Sequence, residues 1–182
     1  MRVETCGDSL LNALEAIRRR CSIRRYKPKL PPKRLIEKVI DAGRLAPTAW
    51  AKQPWEFVVV TDPEMRRKIA GLTDYGKFIK DAPACIAVLC EETKFYLEDG
   101  CAATENMLIA ATALGLGTCW VAGDKKDYAR KVCDLLAVPA SYRLVALIPL
   151  GYPERVPKPK RKRALTNVMH WERYRSISKR PE

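Results

Sequence analysis

The chain has 182 residues but a single histidine, His170, and no two of its seven cysteines form a CxxC pair. Those two shortages remove a good deal of chemistry. One imidazole and scattered thiols (Cys6, Cys21, Cys85, Cys90, Cys101, Cys119, Cys133) cannot assemble a Cys/His zinc set at recognisable spacing. A Ser-His-Asp or Cys-His hydrolase would depend on one base set in a basic tail. An odd number of unpaired thiols instead reads as reduced, mostly small core residues in a reducing compartment. There is no apolar run near the roughly 18 residues a membrane span needs, and no signal-peptide core at the N-terminus. The expectation is therefore a soluble, cytoplasmic protein with no membrane partner. No Walker-type loop occurs. "ALGLGTCW" follows a helical pattern and lacks the third glycine of a dinucleotide fingerprint.

What is present suits a globular chain: 47% apolar residues and four tryptophans. The length fits one domain, or one domain with an arm, and buries enough surface to fold without disulfides or metal. The formal charge of +13 is unevenly spread. Residues 1–44 carry 12 Lys/Arg against 5 Asp/Glu, and residues 154–182 carry 10 against 3, so each end holds +7. The middle, 45–153, holds 12 against 13. Excess cation lies at both termini, which points to a nucleic-acid face, to a solvated surface, or to two ends meeting around one anion. Its densest part is "RRRCSIRRY" at 18–26, five arginines in nine residues.

Hydrophobic spacing places the elements. Leu10, Leu11, Leu14 and Ile17 share one side of a helix over 9–19, with Asp8 or Ser9 as its cap. A proline-started helix follows, with Pro32 near its first position, and Pro47 ends it. "WEFVVVT" (55–61) and "ACIAVLC" (84–90) read as buried strands, separated by a helix capped by Asp62 with Pro63 next. Residues 94–114 form a long helix apolar on most sides, which belongs in a large core or an interface. "GTCWVAG" (117–123) reads as a strand breaking into a turn, 125–137 as helix, and 143–151 as a fourth strand. The adjacent acids Glu91/Glu92 and Glu98/Asp99 are expected to be solvated. Helices alternate with strands, so the class is α/β or α+β with helices over a sheet. From Pro153 the chain is proline-punctuated and cationic, yet Leu165, Val168, Met169, Trp171 and Tyr174 are too apolar to leave in water. That combination predicts an arm that docks on a partner subunit.

A chain short of proton-transfer groups commonly leaves its chemistry to a bound cofactor. Four segments in order, the arginine cluster, "LAPTAWAKQPWEF", "DGCAATENMLIAATALGLGTCWVAG" and "LIPLGYPERVPKPKRKRAL", resemble the nitroreductase family of FMN-dependent oxidoreductases. The likeness runs from about Ile17 to Tyr174. It implies a three-layer α+β fold with a central, mostly antiparallel sheet flanked by helices, in an intertwined homodimer. Residues 1–153 would form the FMN-binding core, and 154–182 a basic arm completing the site and docking on the partner. Arg20, Ser22 and Arg24 match positions that hold the FMN phosphate and ribityl chain, as guanidinium forks suit phosphate. Cys21 is either a flanking contact or a spacer. Arg161 and Arg163 match a basic pair returning to the same phosphate, so the two charged ends would converge on one dianion.

By the same resemblance, Pro47, Thr48 and Ala49 match a loop that packs on the flavin ring of the other subunit, with Gln53 at the family glutamine. Ala122 and Gly123 match a turn whose backbone N–H groups face the ring where reduction places charge. Ala51 stands where the family has asparagine, and Trp50 where a small residue is usual, so the pocket's substrate range departs from the pattern. The implied activity passes hydride from NADH or NADPH through FMN N5 to a nitroaromatic, quinone or similar oxidant, with no catalytic side chain and no metal. Two alternatives remain open at this point. One keeps fold and FMN but dehalogenates its substrate or fragments flavin; the other is a basic nucleic-acid-binding protein, weakened by the lack of aromatics within the arginine cluster.

Overall fold

A computed structural model describes residues 11–158 and 161–174 of the chain. Its elements in order are α1 (Ala13–Arg19), α2 (Lys33–Arg44), β1 (Trp55–Val60), α3 (Pro63–Leu72), β2 (Ala84–Glu91), α4 (Tyr96–Ala113), β3 (Gly117–Thr118), β4 (Val121–Ala122), α5 (Ala129–Leu135) and β5 (Tyr142–Gly151). Among the described residues no helix is long and apolar enough to cross a membrane.

The sheet is antiparallel throughout. β2 pairs with β1 on one side and β5 on the other, while β3 and β4 share the far edge of β5. Seven of the eight residues of β2 are buried, because both faces are covered. Ala84, Ile86, Val88 and Cys90 meet Met107, Leu108 and Ala111 of α4 and Val39 of α2. The alternate residues Cys85, Ala87 and Leu89 meet Ile69 of α3 and Val132 of α5. This period of two across a helix-covered sheet explains why β2 reads as a continuous apolar run.

A bulge interrupts the β2–β5 register: Val88 opposes Ala146, but Leu89 opposes Leu144, leaving Val145 extra. The Val145 side chain turns to the α4 face, and its carbonyl accepts the N–H groups of Gly123 (3.1 Å) and Asp124 (3.4 Å). The bulge thus fixes where the chain turns after β4.

Asp62 caps α3 as expected, its carboxylate accepting the Met65 N–H at 2.7 Å with Pro63 next. α4 ends in a Schellman turn, with Leu116 N–H to Ala111 at 2.8 Å and Gly115 at φ +74. α1 departs from expectation. Asp8 and Ser9 lie outside the described residues, and the cap is Asn12, which accepts the Glu15 N–H at 2.9 Å. Only Ala16 is buried, against α4. Leu14 and Ile17 face outward, since α4 offers that helix one narrow contact and no other described residue covers them. Asp99 also overturns its expectation: Glu98 is solvated, but Asp99 is only 5% exposed. The first turn of α4 rolls Asp99 inward toward the sheet.

Candidate functional site

The arginine cluster is extended chain laid against the sheet edge. Ser22 forms a parallel bridge with Thr118, the Ile23 N–H donates to the Thr118 carbonyl at 2.8 Å, and Tyr26 bridges Pro153. Tyr26 is buried, its hydroxyl donating to the Ile23 carbonyl at 2.6 Å. On the other side runs the start of the C-terminal arm. Lys27 N–H bonds Tyr152 (2.9 Å), Glu154 N–H bonds Arg25 (3.1 Å), and the Cys21 thiol sits 3.9 Å from the Pro157 carbonyl.

Between these strips lies a cleft of about 470 Å³, lined by Ser22, Ile23, Arg24, Arg25, Glu154, Arg155 and Pro157. Three guanidinium groups and a hydroxyl converge there. Arg24 is steadied over the Phe78 ring, 5.7 Å from its centroid. Arg20, largely covered, lies 3.5 Å from the Glu105 carboxylate on α4. The Cys119 thiol, buried beside them, is raised by burial, while Arg24, a hydrogen bond with Ser22 and Arg20 pull the other way. Thr118 Oγ1, next to Ser22, is buried with no partner among the described residues. Arg25 and Arg155 escaped sequence reasoning; their signal was the tight pairing of 21–27 with 152–157.

Arg161 and Arg163 were expected at this cluster. In this chain both are exposed on the arm, and Arg163 donates to the Asn167 carbonyl. Backbone pairing between the two ends of the chain runs as far as Glu154, and the Cys21 contact carries the approach to Pro157.

The 121–124 turn completes the second part. Gly123 donates its N–H to Val145, so 123/145 is a hydrogen-bonded antiparallel pair, and the alternation leaves Ala122's N–H and C=O facing away from β5. The Tyr128 hydroxyl donates to that carbonyl; the Ala122 amide lies on the exposed edge. An outward amide is thus available from Ala122, whereas the Gly123 N–H, expected to face outward as well, is taken up by Val145. Gly123 has a packing reason to be glycine: an added Cβ would sit 2.6 Å from Leu144 Cγ and 2.8 Å from its carbonyl.

The third part is the loop from Pro47 to Gln53. Pro47 and Gln53 are exposed, Thr48 and Ala49 half-buried. Trp50 (φ 52), Ala51 (φ 53) and Gln53 (φ 49) all occupy the left-handed region. Trp50 is 72% exposed and packs on Phe95, ring centroids 5.2 Å apart.

The first turn of α4 touches both loop and turn. Asp99 Oδ1 accepts the Ala49 N–H at 3.0 Å, while the Tyr96 hydroxyl donates to Asp124 Oδ1 at 2.8 Å. Burial, reinforced by that carboxylate, pushes the Tyr96 phenol up to about 12. Sequence reading missed Tyr96, Phe95 and Asp124, and dismissed Asp99, because nothing local marks a helix start as buried. The six described cysteines besides Cys6 are all free, and no metal-ligating cluster occurs among the described residues.

A sheet covered on both faces by helices thus carries at its edge a cleft where three guanidinium groups and a hydroxyl meet. The family model described as "Nitroreductase family" matches residues 17–84 and 74–152. The chain is 37% identical over 155 residues to a protein of Methanothermobacter thermautotrophicus provisionally named NADH dehydrogenase/NAD(P)H nitroreductase, covering 82% of this chain and 81% of that one. A crystal structure from Bacteroides thetaiotaomicron, provisionally named in the same way, superposes at TM-score 0.86 with 31% identity, covering 93% and 100%. An FMN-dependent nitroreductase of Clostridium difficile does so at 0.83 with 27% identity, covering 88% and 99%. The chain belongs to the nitroreductase family. It is an oxidoreductase.

Proposed function

We propose that the protein is an FMN-dependent oxidoreductase taking electrons from NADH or NADPH and delivering them to a small oxidant such as a nitroaromatic or quinone. The cleft carries this reading. Ser22, Arg24, Arg25 and Arg155 gather at one sheet edge, with the buried, unpartnered Thr118 hydroxyl beside them. That donor set suits a phosphate monoester and an adjoining polyol.

Arg20, Ser22, Arg24 and Arg155 would hold the phosphate, with Cys21 packing behind the segment. Arg161 and Arg163 stand four and six residues beyond Pro157, within roughly 14–21 Å of extended chain, and complete the anion site from the arm. Pro47, Thr48, Ala49 and Gln53 wall the ring, and the outward Ala122 amide aims a fixed dipole at the charge that reduction creates. Bound there, FMN supplies a ring that accepts two electrons from one substrate and yields them to the next. On this reading protons at the ring come from solvent.

The same reading takes the working form to be a homodimer. Leu14 and Ile17 on α1, and Trp171 (70% exposed) and Tyr174 (81%) on the arm, are exposed apolar side chains. The outer side of α4, with Ala102, Ile109 and Ala113, is only half covered. A core of 1–153 and a partner-docking arm of 154–182 account for these surfaces together.

The test is purification followed by absorbance and identification of the released chromophore. A yellow protein that releases FMN and is bleached by NADH or NADPH supports the reading. A colourless protein that takes up no added FMN and is retained on nucleic acid in a salt-dependent way overturns it. Turnover of a halogenated aromatic in place of a nitroaromatic or quinone would move the reaction to reductive dehalogenation.

A further inference from the structure

We infer that Asp99 is a positioning residue for the ring-facing loop: its buried carboxylate, through the Ala49 amide, holds the segment from Pro47 to Gln53 in its ligand-ready shape. The inference rests on the FMN reading above.

The loop does not hold itself. Three of its residues, Trp50, Ala51 and Gln53, are non-glycine residues in the left-handed region, a costly backbone that persists only where surroundings impose it. Its internal hydrogen bonds are long: Ala51 N–H to the Thr48 carbonyl at 3.3 Å, Lys52 N–H to Ala49 at 3.2 Å, and Gln53 N–H to Thr48 Oγ1 at 3.3 Å. Two contacts at the start of α4 supply the restraint, the ring pair of Trp50 with Phe95, the residue before the helix, at 5.2 Å, and the Ala49–Asp99 bond at 3.0 Å. Trp50 remains mostly in solvent, so the ring pair is a weak anchor.

Asp99 is the opposite case. A buried carboxylate is costly unless it is hydrogen-bonded or sits in a favourable field. The first turn of α4 supplies part of that field, yet Oδ2 has no partner among the described residues. Its neighbour Cys90 offers no counter-charge: burial, then Asp99 itself, pushes that thiol up to about 12. An apolar residue would pack this position at lower cost. The loop amide is the hydrogen bond this carboxylate makes among the described residues, and holding that amide is what its acceptor oxygen accomplishes.

The experiment titrates FMN into full-length apoprotein, reading flavin fluorescence and the visible band, with thermal melts in parallel. Asp99→Ala removes the acceptor and Asp99→Asn keeps one without charge. Ala49→Pro removes the donor and sets a ring carbon against the Asp99 oxygen, a clash the double variant relieves, and Thr48 already has the extended backbone (φ −134, ψ 151) a following proline requires. Asp99→Ala and Ala49→Pro should each weaken FMN at least about tenfold, the double variant no further, and Asp99→Asn should stay within about threefold of wild type. Unchanged FMN affinity in Asp99→Ala, or losses that add in the double variant, overturn the inference while leaving the FMN reading standing. So does unfolding of both single variants, which makes the bond a folding element. A wild-type protein that takes up no FMN overturns the reading, and the inference falls with it.

Discussion

Ile23 gives its N–H to the carbonyl of Thr118 at 2.8 Å, and through that bond an arginine-rich strip becomes one wall of a cleft. Removing a single guanidinium from that wall should weaken FMN binding and leave the fold intact. For Arg24→Ala or Arg155→Ala the loss of a charge-assisted bond corresponds to about 1.5–3 kcal/mol, or roughly ten- to hundredfold in affinity. Fluorescence titration at two salt concentrations checks this. Equal affinities at both salts would place the phosphate elsewhere.

The outward apolar residues of α1 make a second prediction. Leu14→Glu combined with Ile17→Glu puts charge where a partner chain is proposed to sit. Sedimentation should show a shift from dimer to monomer, with FMN lost in step. A dimer unaffected by both charges would require a different interface.

Stability at high pH follows from the buried acids. Burial raises the thiols of Cys85 and Cys90 to about 12, from an ordinary value near 9, and the Tyr96 phenol to about 12 from near 10. Each group is neutral when protonated, and the native state holds its proton more tightly than the unfolded chain. Their stabilisation is complete below about pH 9 and is lost as pH climbs toward 12. The denaturant midpoint should be flat from pH 7 to 8.5 and then fall. Cys85→Ala should flatten part of that slope.

α5 closes with a Schellman turn, Val138 N–H to Cys133 at 2.9 Å, in which Ala137 has φ 54. Glycine takes that conformation without the Cβ penalty. Ala137→Gly should therefore stabilise by about 0.5–1 kcal/mol, a rise in Tm of roughly 1–4 °C for a chain of this size. Calorimetry decides it; a lower Tm counts against the argument.

Gly123 runs the other way. Alanine there meets Leu144 Cγ at 2.6 Å and the Leu144 carbonyl at 2.8 Å, so the β4–β5 edge must shift. Gly123→Ala should cost about 1–3 kcal/mol, with FMN weakened because the Ala122 amide moves too. Chemical denaturation and FMN titration on one sample check both effects.

The strands at 55–60, 84–91 and 142–151 were legible because β-branched apolar runs bounded by turns admit few other structures. The Asp62–Pro63 start of α3 was legible because capping is a local matter of one carboxylate and one amide. The expected strand at 117–123 is instead two short pieces, β3 and β4, parted by Cys119 and Trp120. Its pairing depends on the β5 bulge at Val145, which leaves no mark in either segment. In the candidate site, Ser22 and Arg24 were visible as a charged cluster, whereas Arg25 and Arg155 needed the pairing of distant strips.

Local chemistry placed the main elements of this protein: continuous apolar runs bounded by turns, and helix caps, are properties of neighbouring residues and need no third dimension. Burial was another matter. Glu98 and Asp99 are adjacent acids in one helical turn, and a rotation of about 100° about the helix axis puts one in water and the other in the core. Which one carries a hydrogen bond to a strained loop depends on what packs against α4 from residues fifty positions away. Only the assembled sheet and helices could decide that.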